Sequence, residues 1–481
     1  MNIPVDDCYS LDDLDDHERV NLPFYGLDLR SPAERVLDFH EVIKPFDPVR
    51  AKFEAARCIH CPEPAGCVTA CPVHNRIPEI MSMIECGNFS RAAAMFRQTS
   101  TLPEICGRVC PQEVLCQGSC VHNSRGEPVL IGALEAFVTG YERQEKGEII
   151  IRTQQATGKR VAVAGGGPSG LACAERLVEL GHEVTVYDAR PVPGGLLMYG
   201  IPGFKLSNEV SLKKLVELQK AGIKFVNNTI IGRDIKLLDF PAMGFDAVYI
   251  SVGAGADTMM NVPGEDLPGV YCGTEFLIRA NVDLDRLPEG MTSRPDVGKH
   301  VVVVGGGDTA SDCLRTAIRL GAEEVTCIYR RSEAEMPGIK KDRNLARQEG
   351  VHYQFLSQPV RFIAGDDGKL ANVECNKMGL GEPDARGRKL PVVLTDSNFI
   401  VEAGTAILAL GYHPYPLIGD TTPGLVVQRN GLVVTEPLTC ATSIKGIFAG
   451  GDAVLGPKVV VTAVADGQRA AGSIHKYLMG S

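Results

Sequence analysis

One structural unit occurs twice in this chain, and it restricts the fold more than any other feature of the sequence. The unit is an apolar strand, a glycine-rich turn, a helix and a second strand. Its first copy begins at residues 160–164 and its second at residues 300–304. Strands that alternate with helices in this way form a parallel sheet covered by helices. We therefore predict an α/β fold with two Rossmann-like domains.

The first glycine turn has the spacing of a dinucleotide-binding loop. Gly165, Gly167 and Gly170 follow the G-x-G-x-x-G pattern between a strand and a helix. Such glycines allow a tight turn, a close approach of the backbone to a pyrophosphate, and packing of the helix on the strand. Asp188 follows the second strand, where a carboxylate can accept hydrogen bonds from ribose hydroxyls. The alternative is a purely structural turn, since the chain contains 52 glycines.

The second turn is a variant of the same pattern, with Gly305, Gly307 and Ala310. Arg330 and Arg331 follow its second strand in place of an acid. Two guanidinium groups there favour the 2′-phosphate of NADP over the bare ribose of NAD. A solvated basic pair at a strand end is the alternative. We predict that NADPH binds here.

A segment near the C-terminus indicates a second dinucleotide. Residues 446–452 end in Asp452 and precede an apolar stretch from Val459 to Ile474. An acid at such a strand–helix junction could bind ribityl hydroxyls, and the helix N-terminus could face the pyrimidine edge of a flavin. Together with the first turn, this segment predicts FAD.

Nine of the 16 cysteines lie between Cys58 and Cys120. Eight of them form two series of similar spacing, which are Cys58, Cys61, Cys67, Cys71 and Cys106, Cys110, Cys116, Cys120. Thiols at this density, in a chain with no sign of secretion, indicate metal binding. Cys-Pro pairs within the series are typical of iron–sulfur ligands. Two structural zinc sites of four thiolates each are the competing interpretation.

Composition and termini exclude other classes of partner. The net charge of −10 and the lack of a basic block argue against nucleic acid. Residues 1–7 do not form a signal peptide, and no apolar run could span a bilayer. An acidic cluster at residues 12–18 is read as a solvated arm. We expect a cytoplasmic protein with no membrane partner.

The motifs divide the chain into three predicted domains. Apolar residues at helical spacing in residues 77–86 and 89–97, with Asn88 near a helix start, predict a small α-helical domain around the cysteines. A polar linker, residues 146–158, follows it. The predicted boundaries are 1–150 for the iron–sulfur domain, 158–288 and 412–481 for a discontinuous FAD domain, and 289–411 for an NADPH domain inserted in it.

This order of motifs predicts an electron path. NADPH donates two electrons as hydride, a flavin accepts hydride and releases electrons singly, and iron–sulfur clusters accept one electron at a time. The cofactors carry the chemistry, so we predict no catalytic side chain.

Longer segments resemble a known family. They are residues 103–112, 194–206, 305–309 and 329–331. Through them the chain resembles the small subunit of bacterial glutamate synthase over nearly its whole length. It is also similar to the N-terminal part of dihydropyrimidine dehydrogenase and to the large subunit of NADH-dependent ferredoxin:NADP oxidoreductase.

The resemblance implies two [4Fe–4S] clusters with crossed ligation. One would be held by Cys58, Cys61, Cys67 and Cys120. The other would be held by Cys71, Cys110, Cys116 and the non-cysteine ligand Glu135. Cys106 would lie outside both ligand sets.

The resemblance also implies the residues that contact the nucleotides. Those for FAD are Gly166, Gly167, Pro168, Ser169, Gly170, Asp188, Gly195, Leu196, Lys205, Gly451 and Asp452. Those for NADPH are Gly307, Asp308, Thr309, Arg330, Arg331, Ala409, Leu410 and Gly411.

By the same resemblance, the partner would be a large FMN/iron–sulfur amidotransferase subunit that forms L-glutamate from 2-oxoglutarate and glutamine-derived ammonia. Asn2 follows Met1, so we expect that this chain lacks the family's amidotransferase cysteine and acts as the electron-input subunit. The alternative is an NADPH:ferredoxin-type subunit that feeds another redox partner. A hypothesis of a different class is a zinc-stabilised scaffold with a vestigial nucleotide fold.

Two positions depart from the family pattern. The gap between Cys61 and Cys67 is one residue longer than usual, and Lys458 stands where a small or polar residue is expected near the flavin. An ammonium there would raise the flavin potential, whereas a surface lysine would not.

Overall fold

The computed structural model of this protein describes residues 14–384 and 387–480. Residues 1–13, with the predicted N-terminal sequence and Asp12 and Asp13 of the acidic cluster, lie outside the described residues. In the described ranges, no helix is both long enough and apolar enough to cross a membrane.

The first unit is helical, as predicted. Its helices are α1 Asp16–Asn21, α2 Pro32–Arg35, α3 Pro48–Ala56, α4 Gly66–Thr69, α5 Ile77–Glu85, α6 Phe89–Thr99, α7 Pro103–Val109 and α8 Ile131–Lys146. Most of the cysteines from Cys58 to Cys120 lie between or at the ends of these helices, whereas Cys106 lies inside α7. Asn88 occupies the N-cap position of α6, although its side chain forms no capping bond. Such short helices depend on packing rather than on intrinsic propensity.

The first Rossmann unit begins with the first sequence repeat. Its elements are β1 Arg160–Ala164, α9 Pro168–Glu179, β2 Glu183–Tyr187, α10 Leu196–Tyr199, α11 Asn208–Lys220, β3 Lys224–Val226, β4 Ala247–Ile250 and the connecting strand β5 Ala256–Asp257.

The second Rossmann unit follows directly. Its elements are β6 Val270–Cys272, α12 Gly273–Asn281, β7 His300–Val304, α13 Asp308–Arg319, β8 Glu324–Tyr329, α14 Lys340–Gln348, β9 His352–Phe355, β10 Ser357–Ala364, β11 Leu370–Pro383, β12 Lys389–Val393, β13 Phe399–Glu402 and β14 Thr405–Leu408. The chain then returns to the first unit through β15 Tyr412–His413, α15 Leu417–Asp420, β16 Ile447–Ala449, α16 Asp452–Leu455 and α17 Val460–Met479.

Two parallel sheets confirm the predicted fold class. The first has strand order β16-β4-β1-β2-β3 and the second β6-β14-β7-β8-β9. In each, the strand before the glycine turn lies at the centre, where its side chains are buried on both faces. The glycine turns therefore lie at the carboxyl ends of central strands, where ligands bind in open α/β sheets.

The point at which the second unit begins differs from the prediction. Strand β6, at residues 270–272, pairs with β14 of the second sheet, yet it lies before the predicted boundary at residue 289. The antiparallel pair β5–β15 carries the chain out of the first unit and back into it. We propose that the second unit spans about residues 258–411, which leaves the predicted return point near residue 412 unchanged. The three-residue strand β6 is too short to show a period in the sequence.

The helical unit and the first Rossmann unit share one apolar core. Ala172 of α9 and Val464 of α17 are buried in the same cluster as Phe96 and Leu134 of the helical unit. Each such fully buried large side chain contributes about 1.5–3 kcal/mol to stability. Gln468 of α17 adds polar contacts, because its amide group bonds both the Thr99 carbonyl and the Thr101 N–H. The cysteine-bearing helices are thus fixed on α9, which begins at the first turn, and on α17. Helix α17 touches the backbone of α9, because an added Cβ at Gly467 would lie 2.1 Å from the Ser169 carbonyl oxygen.

Candidate cofactor sites

The three glycines of the first turn have different steric environments. Gly165 has φ +105°, and an added Cβ would lie 2.4 Å from the Ser251 carbonyl oxygen. At Gly170 it would lie 1.9 Å from the Gly165 carbonyl oxygen. An added Cβ at Gly167 would meet nothing within 4 Å. The first and third glycines are therefore required by the fold, whereas the second borders open space at the start of α9.

Asp188 is fixed against this turn. Its carboxylate accepts the Gly166 N–H at 2.7 Å and the Arg190 N–H at 2.8 Å. Burial raises the pKa of Asp188, and these two hydrogen bonds oppose that rise. The carboxylate thus orients the backbone of the turn while it lies beside the space where a ribose is predicted.

Two distant segments complete the surroundings of the turn. The Gly194 N–H donates to the Gly166 carbonyl at 2.7 Å, and an added Cβ at Gly195 would lie 3.0 Å from Gly167 Cα. An added Cβ at Gly451, where φ is +64°, would lie 2.8 Å from Ser169 Cβ. Predicted FAD residues from three parts of the sequence, including the partly exposed Leu196, therefore converge.

Asp452 begins α16 beside Gly451, and burial raises its pKa to about 6. The Lys458 N–H donates to Asp452 Oδ1 at 3.1 Å, while the Lys458 side chain is exposed. The backbone of Lys458 is thus held beside Asp452, and the effect of its ammonium on a flavin stays a prediction.

Lys205 lies at the junction of the two Rossmann units. Its Nζ lies 3.0 Å from Asp312 of α13 and 2.7 Å from Asp342 of α14. Burial disfavours the ammonium, but Asp312 and Asp342 outweigh it and raise the pKa of Lys205. Lys205 therefore joins the units through its charge, and the flavin contact that the resemblance implies stays a prediction.

The second turn repeats the geometry of the first. Gly305 has φ +143°, and an added Cβ would lie 2.2 Å from the Ala409 carbonyl oxygen, whereas Gly307 again borders open space. Thr309 Oγ1 lies 2.9 Å from the Tyr412 hydroxyl. Leu410 and Gly411, beyond Ala409, are exposed at the same end of the sheet.

The two arginines after β8 have different environments. Arg330 is exposed. Arg331 is buried, and its Nε donates to the Lys389 carbonyl at 2.7 Å. The arginine that is available to a 2′-phosphate is therefore Arg330, and Arg331 holds β12 against the end of β8.

The first predicted ligand set lines one cavity. Cys58, Cys61, Cys67 and Cys120 surround it, with apolar walls that include Met81. A close approach of the backbones at Gly66 and Ser119 brings the adjacent residues Cys67 and Cys120 together. An added Cβ at Gly66 would lie only 2.6 Å from the Ser119 carbonyl oxygen. Burial raises the pKa of Cys58 to about 12 and that of Cys67 to about 11.

The second predicted set is gathered by the contact between α7 and α8. An added Cβ at Gly107 would lie 2.6 Å from the Ala136 backbone nitrogen, so these helices touch at their backbones. Burial raises the pKa of the Cys116 thiol, and its next largest influences are Glu135 and Cys71. These three groups are therefore neighbours in the structure.

Cys106 also lies in this second group, which the sequence did not predict. A hydrogen bond with Cys106, followed by burial, raises the pKa of Cys110. Glu135 is buried, and burial and then Cys106 raise the pKa of its carboxyl group. Cys106 is thus adjacent to two proposed ligands without having been assigned to either cluster.

These residues fit iron–sulfur clusters. In the described part of the chain, no three His, Cys, Asp or Glu side chains converge closely enough to bind a single ion. The four thiolates of a [4Fe–4S] cluster do not share one metal atom as the thiolates of a zinc site do. Buried thiols with raised pKa values lose their protons when a metal coordinates them.

Comparisons with known families separate the two metal interpretations. Residues 35–147 match the family described as "Dihydroprymidine dehydrogenase domain II, 4Fe-4S cluster". Residues 154–467 match the family "Pyridine nucleotide-disulphide oxidoreductase". These matches confirm the prediction of an iron–sulfur domain over a zinc module and of an oxidoreductase over a vestigial scaffold.

Relatives identify the family more closely. The glutamate synthase [NADPH] small chain of Escherichia coli (strain K12) is 39% identical over 96% of this chain and 98% of its own length. The chain belongs to the glutamate synthase small-chain family. "Putative oxidoreductase AegA" of the same organism is 40% identical over 92% of this chain and 68% of its own length. Other relatives of this small-chain family member are named beta subunits.

A solved structure supports the fold alone. FprA from Mycobacterium tuberculosis, in complex with NADPH, has a TM-score of 0.55 at 20% identity, and the match covers 67% of this chain and 85% of that one. The common part corresponds in size to the two Rossmann units.

Some residues that build the sites of this small-chain family member carry no signal in the sequence. Ser251 supports the first turn with a hydrogen bond from its Oγ to the Gly165 carbonyl at 2.9 Å. Asp312 and Asp342 hold Lys205, and Glu113 of the cysteine-rich unit contacts α14. Each acts across a long sequence separation, so no local motif marks it.

Proposed function

We propose that this chain is the electron-input subunit of a glutamate synthase, which oxidises NADPH and passes electrons through FAD and two [4Fe–4S] clusters to the large subunit. The observation that carries the proposal is that the cysteine-bearing helices share one apolar core with α9, the helix that begins at the first glycine turn, in a chain that also contains the second turn. The 39% identity to a small chain over 98% of that protein's length supports the choice of partner. We place the reaction in the cytoplasm, where thiols remain reduced.

The chain's own residues would bind and orient the nucleotides. The N–H groups around Gly167 and the start of α9 would bind the FAD pyrophosphate, and those around Gly307 and α13 would bind that of NADPH. Arg330 would select the 2′-phosphate. When bound, FAD would supply the exchange between hydride transfer and single-electron transfer. The protein would hold the two nucleotides at the facing edges of the two sheets.

The proposed ligand sets are crossed between the two cysteine series. Cys58, Cys61, Cys67 and Cys120 would hold one cluster, and Cys71, Cys110, Cys116 and Glu135 the other. The cavity that the four cysteines of the first set line supports that set. The effect of Glu135 and Cys71 on the pKa of Cys116 supports the second set. Glu135 is held by Asn75, whose Nδ2 donates to its Oε1 at 3.5 Å.

Anaerobic titration with NADPH tests the proposed input. The protein as purified, with its iron and flavin contents measured, should lose visible flavin absorbance within milliseconds to seconds of NADPH addition, and an EPR signal of reduced clusters should follow. Flavin bleaching without any cluster signal would contradict an electron path through the clusters.

A different electron acceptor is the second candidate, and one observation favours it. AegA, named as a putative oxidoreductase and not as a glutamate synthase, is as similar to this chain as the small chain is. A large glutamate synthase subunit and a ferredoxin should be compared as acceptors for the NADPH-reduced protein. Glutamate formation with the large subunit supports the first proposal, whereas reoxidation by ferredoxin alone supports the second.

A further inference from the structure

The turn between two proposed cluster ligands reaches across to the second Rossmann unit. Glu113 lies in the 3₁₀ turn Gln112–Val114, between Cys110 and Cys116. Its Oε1 accepts the Lys340 N–H at 2.7 Å and its Oε2 accepts the Lys341 N–H at 3.3 Å. These are the first two residues of α14, whose own N-cap residue has no polar side chain. Glu113 therefore caps α14 from another unit, and its charge interacts favourably with the helix dipole.

The same helix start is also bound to the second glycine turn. The Ile339 N–H donates to Asp308 Oδ1 at 2.8 Å, and the Gly338 N–H donates to the Gly306 carbonyl at 3.0 Å. An added Cβ at Gly338 would lie 2.9 Å from that carbonyl oxygen, so the backbones are in close contact. A nucleotide at this turn would therefore meet the residues that hold segment 338–341 in place.

The first Rossmann unit contacts α14 as well, through the ion pair between Lys205 and Asp342. All three units thus meet at one helix start. A cavity of about 580 Å³ lies beside this helix start. Residues of all three units line this cavity, among them Cys110, Glu113, Lys205 and Lys341.

We propose that residues 338–341, which lead into α14, couple nucleotide binding at the second turn to the order of the loop between Cys110 and Cys116. Glu113 is the positioning residue in this coupling. This inference rests on the proposed function, because it requires an NADP nucleotide at that turn. A ligand that orders residues 306–308 also orders the segment bonded to them. Glu113 passes that order to the loop through its two hydrogen bonds. Coupling of this kind acts through order alone and needs no second position of α14.

Hydrogen–deuterium exchange of the cluster-loaded, FAD-loaded protein with and without NADP⁺ tests this coupling. In the wild type, NADP⁺ should slow exchange about five-fold or more in both segment 338–343 and loop 110–120. In Glu113→Ala, it should slow exchange in segment 338–343 only. Glu113→Gln keeps one carbonyl acceptor and should retain part of the loop response.

Glu127→Ala is the matched control. Glu127 lines the same cavity, and within the described residues its carboxylate makes no hydrogen bond to α14. This variant should respond to NADP⁺ as the wild type does, at an unchanged melting temperature. Should Glu113→Ala lose its clusters, the comparison between Glu113→Gln and Glu127→Ala decides the question.

Two negative results have different meanings. Protection of segment 338–343 without protection of the loop in the wild type, or equal loop protection in the Glu113 variants, overturns the coupling and leaves the proposed function intact. If NADP⁺ protects neither segment in the wild type, the nucleotide site itself is misassigned, which contradicts the proposed function as well.

Discussion

Gly170 and Gly472 both lie in helices of the first Rossmann unit, but an added methyl group would meet very different surroundings. At Gly170 it would lie 1.9 Å from a carbonyl oxygen, and at Gly472 it would meet nothing within 4 Å. We expect Gly170→Ala to destabilise the protein by about 1–3 kcal/mol or more and to abolish FAD loading. Gly472→Ala should stabilise it by up to about 1 kcal/mol. Thermal melting and the flavin absorbance of the purified variants measure both effects, and similar behaviour of the two variants would refute this description of the turn.

Arg330 and Arg331 have different environments in the structure, so their substitutions should have different effects. Arg330→Ala should raise the KM for NADPH about ten-fold or more and leave the KM for NADH nearly unchanged, because only NADPH carries the 2′-phosphate. Arg331→Ala should mainly lower the melting temperature, since its partner is the Lys389 carbonyl. An equal effect of Arg330→Ala on both nucleotides would remove the NADP assignment.

Iron content tests the crossed ligation. We expect Cys120→Ser to lose one cluster, and with it about half of the bound iron, while Cys106→Ser retains both clusters. Because Cys106 contacts Cys110, its substitution should change the EPR signal of the second cluster only. Loss of half of the iron in Cys106→Ser would show that Cys106 is a ligand.

At this scale the sequence predicts what a local spacing determines and misses what a distant contact determines. The glycine triplets revealed the turns, because their steric needs recur at fixed intervals. The spacing of the cysteines alone favours one metal site per series. Only the family resemblance implies that each cluster takes ligands from both series. The positions of Lys205 and Glu113 depend on packing between units, and that of Cys106 depends on the packing of α7 against α8, for which the sequence has no pattern.

At the element scale, α17 is tied to the loop before β2 by a pair of histidines. His182 Nε2 lies 2.9 Å from His475 Nδ1, and the Thr157 hydroxyl lies 2.8 Å from His182 Nδ1. Burial and then His475 lower the pKa of His182. The folded protein therefore keeps this ring neutral at a pH where the unfolded chain, with a pKa of about 6.5, has begun to bind a proton.

The sign of the resulting pH dependence follows from proton binding. The unfolded state binds more protons than the folded state as the pH falls through about 6.5. The contribution of neutral His182 to the free energy of unfolding is therefore full above that pH and decreases below it. We expect the melting temperature to drop between pH 7.5 and 5.5 by more in the wild type than in His182→Asn. Equal drops would mean that this histidine pair does not contribute.

Elements were predicted well where they have a clear period or a glycine turn. The central strands of both sheets and the starts of α5 and α6 agree with the sequence. Strand β6 was missed because three residues cannot display alternation, and its membership of the second sheet depends on pairing with β14, far along the chain. The earlier start that we propose for the second unit, near residue 258 in place of 289, has the same cause.

At the scale of the whole molecule, three units meet around two nucleotide sites and two cysteine groups. The iron–sulfur unit is fixed on α9 and α17 by a common core. It contacts the second Rossmann unit at the start of α14 through Glu113 and at the end of α14 through Arg35, whose Nη2 donates to Gln348 Oε1 at 3.0 Å. The iron–sulfur unit is therefore held against both Rossmann units.

The most direct measurement is rapid mixing of the anaerobic protein with NADPH, followed by visible absorbance and freeze-quench EPR, with and without the large glutamate synthase subunit. The proposed path predicts flavin bleaching first, cluster reduction next, and reoxidation of the clusters only when the partner and its substrates are present. Clusters that stay oxidised while the flavin is fully reduced, or that are reduced at the same rate in protein lacking FAD, would contradict it.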